Sequence, residues 1–336
     1  MRAEIGILGA GTFGMALAAM LSKNGSDVSV WTRHSEKLDK YASERIYHNL
    51  DDMVIPDGVD FCKSLEGVCT GKDILIFAIP SLYVRDVAGE ASGFIPEGQI
   101  IVNVGKGIEP ETLHTLTEVI EDELSAAGKT VRTVALSGPT HAEEVAKGLP
   151  STIVSASNDP EAAALVQDIV MNSSMRVYTN SDKRGVELCG AMKNIMALAA
   201  GMSAGLGYGD NAKAALITRG LAEIARLGLA MGCRLETFAG LAGVGDLIVT
   251  ATSLNSRNNR AGMLIGKGMK AEEDVKEIGM GVKGINALPA ALKLARKYDI
   301  DMPLTFAVDA IINHGADPKE TVTGLMMRDK KDETAV

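Results

Sequence analysis

The chain is poor in the features that mark several protein classes. Its four cysteines (Cys62, Cys69, Cys189 and Cys233) form no C-x-x-C pair, which argues against a zinc site or a disulfide framework. Its five histidines are scattered and none pairs with another at ligand spacing, so no metal site is expected. No apolar segment reaches membrane-spanning length, and Met1-Arg2-Ala3-Glu4 leads straight into a strand-like run. Neither an integral membrane segment nor a secretory leader is therefore expected. The formal net charge of −9 argues against nucleic acid as a partner. A reducing, cytoplasmic setting fits these absences.

What is present is glycine, 36 of 336 residues, against about 7% on average. Such an excess belongs where turns and close backbone approach matter. The length favours two domains over one core.

Ile5-Gly6-Ile7-Leu8 reads as a strand, Gly9-Ala10-Gly11-Thr12-Phe13-Gly14 follows at once, and 15–23 has a helical pattern. This is G-x-G-x-x-G in the context of a dinucleotide-binding βαβ unit. Gly9 permits the tight turn, Gly11 lets backbone approach a pyrophosphate, and Gly14 allows close helix–strand packing. The helix start adds unpaired N–H groups for the phosphates. A second strand at 27–31 ends in Thr32-Arg33-His34-Ser35, where NAD-specific sites usually carry a carboxylate for the ribose 2′-hydroxyl. Arg33 with Ser35 suits a 2′-phosphate instead, so the cofactor is NADP(H) or NAD(H), leaning to NADP(H).

Further strands are predicted at 73–79, 100–104, 130–136, 151–156 and 175–179, with a polar loop at Asn49-Leu50-Asp51-Asp52. Gly105-Lys106-Gly107 sits just past the end of one strand, and Ser137-Gly138-Pro139-Thr140-His141-Ala142 turns at the end of the next. Ligands of open α/β sheets bind beyond the carboxyl ends of their strands, which places Lys106 well for an anion. From Asp182 onward the strand signals stop and helical periods take over, at 182–205, 211–231, 256–267, 286–298, 304–314 and 318–328. The expected fold class is thus α/β: an N-terminal doubly wound Rossmann-type sheet domain (1–181) followed by an all-α C-terminal domain (182–330). The charged residues 331–336 are expected to fray.

The first helix of the second domain carries Leu188, Met192, Ile195, Ala199 and Met202 on one stripe and small or apolar residues elsewhere. It reads as buried nearly all round. Lys193 interrupts it, and Cys189, Gly190, Met196 and Ala197, one turn away, offer no counter-charge. Such a lysine either snorkels to solvent or is catalytic, with its pKa lowered by desolvation.

Six ordered stretches resemble one family. They are Gly-Ala-Gly-Thr-Phe-Gly at 9–14, Val-Gly-Lys-Gly-Ile-Glu at 104–109, Ser-Gly-Pro-Thr at 137–140, Glu-Leu-Cys-Gly-Ala-Met-Lys-Asn at 187–194, Gly-Leu-Ala-Gly-Val-Gly-Asp-Leu at 240–247 and Ser-Arg-Asn at 256–258. The chain resembles the NAD(P)-dependent sn-glycerol-3-phosphate dehydrogenases of the bacterial biosynthetic type, over nearly its whole length. The resemblance implies reversible hydride transfer between NAD(P)H and C2 of dihydroxyacetone phosphate, giving sn-glycerol 3-phosphate for glycerophospholipid synthesis. It makes Lys193 the proton-transfer lysine. Lys106, Gly138, Thr140, Lys193, Asp246, Ser256, Arg257 and Asn258 fall on substrate contacts. Gly9, Gly11, Thr12, Phe13, Gly14, Arg33, His34, Lys106, Ala142 and Arg257 fall on the cofactor side.

The residue chemistry agrees, since hydride arriving at a ketone leaves an alkoxide that needs a proton and nearby positive charge. Asp246 could orient the Lys193 ammonium or bond a substrate hydroxyl, and Arg257 offers a planar fork for a phosphate. Ser256 alone would be read as a helix N-cap. A homodimer is expected from the apolar helical domain.

Three departures stand out. Gly281-Val282-Lys283-Gly284 carries a lysine where the family has a glutamate touching the cofactor, Leu50-Asp51-Asp52 replaces a common Leu-Pro-Gly, and His141 stands where an aromatic is usual. Related β-hydroxyacid dehydrogenases or ketopantoate-like reductases, and a catalytically idle nucleotide-binding regulator, are the competing readings.

Overall fold

The computed structural model describes residues 2–269 and 282–333. Gly281 and the last three residues of the expected frayed tail lie outside them. Two compact units emerge: one from Met1–Glu109 and His114–Lys183, the other from Pro110–Leu113 and Arg184–Val336.

The first unit is built on β1 (Glu4–Leu8), β2 (Asp27–Trp31), β5 (Val59–Phe61), β6 (Ile74–Phe77), β7 (Ile100–Asn103), β8 (Arg132–Ser137), β9 (Ser151–Ala156) and β10 (Met175–Asn180). They form one sheet in the order β10-β9-β8-β7-β6-β1-β2-β5. The central strands read as unbroken apolar runs because both faces are covered. Ile74 and Ile76 pack with α1 (Thr12–Lys23) on one side. Leu75 and Phe77 pack on the other with α4 (Val84–Ala91) and α5 (Leu116–Ala126).

The sheet is mixed rather than uniformly parallel. β9 runs antiparallel to β8, with Leu136 opposite Ser155, and β10 then runs parallel to β9. The carboxyl ends of β9 and β10 therefore point away from the edge that carries the glycine-rich turn. Where only a polar loop was expected, β3 (Ile46–Tyr47) and β4 (Met53–Val54) form a small hairpin. At its tip Asp51 and Asp52 have φ of 49° and 55°, left-handed values that Asp tolerates better than most residues. The remaining helices of this unit are α2 (Ser35–Glu44), α3 (Leu65–Cys69), α6 (Ala142–Ala146) and α7 (Pro160–Val170).

The second unit is helical: α8 (Lys183–Gly205, which starts in the first unit), α9 (Asp210–Ala230), α10 (Leu235–Phe238), α11 (Asp246–Thr252), α12 (Arg257–Gly266), α13 (Lys283–Lys297), α14 (Pro303–His314) and α15 (Pro318–Met326). Glycines let α8 and α12 touch backbone to backbone. A Cβ on Gly201 would fall 2.0 Å from the Asn259 carbonyl oxygen, and one on Gly262 would fall 2.0 Å from that of Leu198. The short α10, a π-helical turn at Leu241–Gly245 and α11 had no counterpart in the sequence reading. Together they make Leu235–Thr252, an 18-residue run of mean hydropathy 1.2 that has the length and composition of a span. This corrects the expectation that no segment does. The run is broken into three pieces and buries an aspartate, Asp246.

Candidate active site

The candidate residues fall into two groups, one in each unit. In the sheet unit, Gly9 leaves β1 with φ +118°, and a Cβ there would meet the Ala78 carbonyl oxygen at 2.3 Å. Gly14 is equally constrained, its hypothetical Cβ lying 2.2 Å from the Gly9 carbonyl oxygen. Gly11 differs: a Cβ would meet nothing within 4 Å among the described residues. Packing explains the first and third glycines, whereas the middle one opens a cradle at the start of α1. That cradle fits the pyrophosphate of a dinucleotide. The turn is braced by the buried Tyr47, whose hydroxyl donates to the Ala10 carbonyl at 3.2 Å. Thr12 and Phe13 are half-buried on the first turn of α1.

At the end of β2 the turn is stitched sideways, the Gly9 N–H donating to the Trp31 carbonyl at 2.7 Å. Two residues on, Arg33 is engaged: its guanidinium donates to Glu90 of α4 at 2.7 Å. His34 sits at the N-cap of α2, with Nδ1 3.6 Å from Glu36.

Beyond β7, the Asn103 side chain closes on both ends of Gly105, accepting from its N–H at 2.9 Å and donating to its carbonyl at 3.2 Å. Lys106 follows, half-buried, and its ammonium donates to the Gly138 carbonyl at 3.3 Å. The same carbonyl accepts from the Thr140 hydroxyl at 3.3 Å. Lys106, Gly138 and Thr140 thus come together from two loops. Glu109 anchors the first loop through a two-pronged pair with Arg85, Nε and Nη2 each 2.6 Å from a carboxylate oxygen. His141 precedes α6, and its Nε2 is buried with no hydrogen-bond partner among the described residues. Ala142 opens α6 and packs against the core of this unit.

In the helical unit, Lys193 is buried near the middle of α8, 6% exposed. Its counter-charge comes from α11: the ammonium donates to the Asp246 carboxylate, itself 1% exposed, and to the Thr250 hydroxyl at 2.7 Å. Thr250 in turn donates to the Asp246 main-chain carbonyl at 2.7 Å. Lys193 does not snorkel. Asp246 thus accepts from the ammonium, the contact that the first of its two expected roles requires. Thr250 was missed by the sequence reading. Its signal was the four-residue spacing from Asp246, which on a helix stacks the two on one face.

The Ser256-Arg257-Asn258 stretch divides its tasks. Ser256 Oγ accepts from the Asn259 N–H at 3.2 Å, an N-cap for α12. Asn258 is buried with both ends of its amide committed, donating to Asn194 at 3.0 Å and accepting from the Gly284 N–H at 2.8 Å. This links α8, α12 and α13. Both side chains thereby also brace the helical unit. Arg257 is exposed on the first turn of α12 and has no ion or hydrogen-bond partner among the described residues, so its fork can take an anion. Lys283 is exposed at the first position of α13.

Comparison with known proteins covers both units. Residues 4–163 match the N-terminal part, and residues 182–323 the C-terminal part, of NAD-dependent glycerol-3-phosphate dehydrogenase. A "Glycerol-3-phosphate dehydrogenase [NAD(P)+] 2" of Lactobacillus delbrueckii subsp. bulgaricus is 62% identical over 98% of this chain and 99% of its own. A "Glycerol-3-phosphate dehydrogenase [NAD(P)+]" of Agathobacter rectalis is 46% identical over 98% and 97%. The crystal structure of a glycerol-3-phosphate dehydrogenase from Coxiella burnetii superposes with a TM-score of 0.92 at 36% identity, covering 97% of this chain and 99% of that one. Ordered motifs, a shared fold and near-complete coverage lead to one conclusion: the chain belongs to the NAD(P)-dependent glycerol-3-phosphate dehydrogenase family.

Proposed function

We propose that this chain interconverts dihydroxyacetone phosphate and sn-glycerol 3-phosphate with NAD(P)H, Lys193 acting as the proton-transfer residue. The observation that carries this is the Lys193–Asp246–Thr250 cluster: a lysine buried on an apolar helix, with its ammonium aimed by two acceptors from another. In the reductive direction Lys193 delivers a proton to the substrate C2 oxygen as that oxygen gains negative charge. Its positive charge stabilises the same oxygen in the transition state. Asp246 and Thr250 hold the ammonium in one position, which limits the geometric search before transfer.

The cofactor, when bound, supplies the hydride. Gly9, Gly11, Thr12, Phe13 and Gly14 are its phosphate cradle on this reading, with Arg33 and His34 at the ribose end and Ala142 alongside. Lys106 in the sheet unit and Arg257 in the helical unit each offer a cation for a phosphate group, and Gly138 and Thr140 shape the loop that Lys106 contacts. Ser256 and Asn258 are substrate contacts on this reading, held in place by the bonds they make within the unit: the Ser256 hydroxyl, which accepts from Asn259, keeps its donor, and the Asn258 amide keeps a second N–H. The reading includes a homodimer, for which apolar side chains exposed on α14 and at the end of α15 (Phe306, Met326) provide support. A role in glycerophospholipid synthesis and a cytoplasmic setting also belong to it, because phosphorylated substrates and nicotinamide nucleotides do not cross membranes unaided.

The test follows nicotinamide absorbance after purified protein is mixed with dihydroxyacetone phosphate, using NADPH and NADH in parallel. Oxidation is expected with the native protein and a rate at least about 1,000-fold lower with Lys193→Ala. Oxidation by neither, with cofactor still bound, overturns the assignment.

A further inference from the structure

We propose that Glu90 is a specificity-determining residue for the cofactor, supplying from α4 the carboxylate that the end of β2 lacks. The inference rests on the reading that Arg33 faces the ribose 2′ group. Parallel pairing sets Leu8 opposite Trp31, and the Gly9–Trp31 hydrogen bond locks the phosphate turn beside the end of β2. Arg33 therefore borders the turn, and Glu90 comes with it at 2.7 Å.

Two observations show that this pair is poorly explained by stability. Glu90 lies in the last turn of α4, where the helix dipole disfavours a carboxylate. Both side chains are about half exposed, 48% for Arg33 and 51% for Glu90, and exposed pairs contribute little. The pair's effect is on what a ligand meets. Arg33 alone would present a bare cation to a 2′-phosphate. With Glu90 attached, a phosphate carrying about two negative charges meets a neutral pair and is repelled by the carboxylate. A free 2′-hydroxyl gains instead, since it can donate to Glu90 as it does to the usual acidic residue of NAD sites. On the same segment the His34 ring faces Glu36, with Nδ1 3.6 Å from its carboxylate. Glu90 thus moves the site from NADPH selectivity toward use of both cofactors.

The experiment measures dissociation constants of NADPH and NADH by nicotinamide fluorescence for the native chain, Glu90→Gln and Arg33→Ala. Glu90→Gln is expected to tighten NADPH by about 5-fold and weaken NADH by about 2-fold, a shift of roughly 10-fold in their ratio that shrinks at high salt. Arg33→Ala is expected to weaken NADPH by about 10-fold or more and to leave NADH within about 2-fold. If Arg33→Ala weakens NADPH while Glu90→Gln leaves the ratio unchanged, the role of Glu90 is overturned and that of Arg33 stands. If Arg33→Ala alters neither constant, the reading of Arg33 fails and the proposal fails with it.

Discussion

Lys193 and Asp246 are 53 residues apart in the chain and form an ion pair almost wholly removed from water. A buried pair is costly to break from one side, because the remaining charge stays desolvated. Asp246→Ala should lower unfolding free energy by about 3–5 kcal/mol and reduce kcat by about 100-fold or more, as the ammonium loses its main acceptor. Lys193→Met combined with Asp246→Leu should recover the stability without the activity. Denaturant unfolding beside steady-state rates checks both. An Asp246→Ala protein as stable as the native one would show that the pair does not contribute.

Thr250 holds the same ammonium and ties it to the α11 backbone. Thr250→Val keeps the shape and removes a hydrogen bond to a charged group, worth about 1.5–3 kcal/mol. A roughly tenfold fall in kcat is expected, with the NADPH dissociation constant unchanged. Single-turnover kinetics would separate the two quantities.

Glu223 lies on α9 and receives the start of α14, accepting from the Leu304 N–H at 2.6 Å and from the Thr305 N–H and hydroxyl at 3.2 Å each. Burial pushes its carboxyl from the ordinary 4.5 up to about 7, against the lowering effect of those hydrogen bonds. Between these values the folded chain holds a proton that the unfolded chain releases. Stability from this group is therefore complete below pH 4.5 and is lost as pH rises to about 7, by about 3 kcal/mol in all. Unfolding curves across this window should show the fall, and Glu223→Gln should flatten it.

Arg85 fastens the loop that carries Lys106 through Glu109, and reaches Glu123 of α5 at 2.5 Å. Freeing that loop should weaken substrate binding more than chemistry. Arg85→Ala is expected to raise KM for dihydroxyacetone phosphate about tenfold while kcat stays within about threefold. Arg85→Lys should restore only part of this, because an ammonium lacks the two-pronged geometry. An equal fall in kcat would count against a positioning role.

How much of this was legible in the sequence depended on the range of the interaction. Gly9 and Gly14 are constrained by contacts with Ala78 and with each other's turn, and such turns leave a local signature. Helix α8 was equally plain, since burial on every side demands apolar residues on every side. The reversal of β9 left no trace, because an apolar strand pairs equally well in either direction. Leu235–Thr252 was missed as helix because its glycines, Gly240, Gly243 and Gly245, read as loop; the structure places Gly243 and Gly245 in a π-helical turn that Gly240 caps.

The sequence by itself determined the glycine-rich turn after β1, the division into strand-bearing and helical stretches, and the apolar helix that carries Lys193. All of these are written in periodicity and turn chemistry over a few residues. Only the tertiary structure decided who answers each charge: Asp246 and Thr250 for Lys193, Glu90 for Arg33, Glu109 for Arg85. It also committed Ser256 and Asn258 to bonds within the helical unit. Partners chosen across tens of residues are set by packing, where one desolvated charge must find another or lose the stability of burial. No local pattern records that choice.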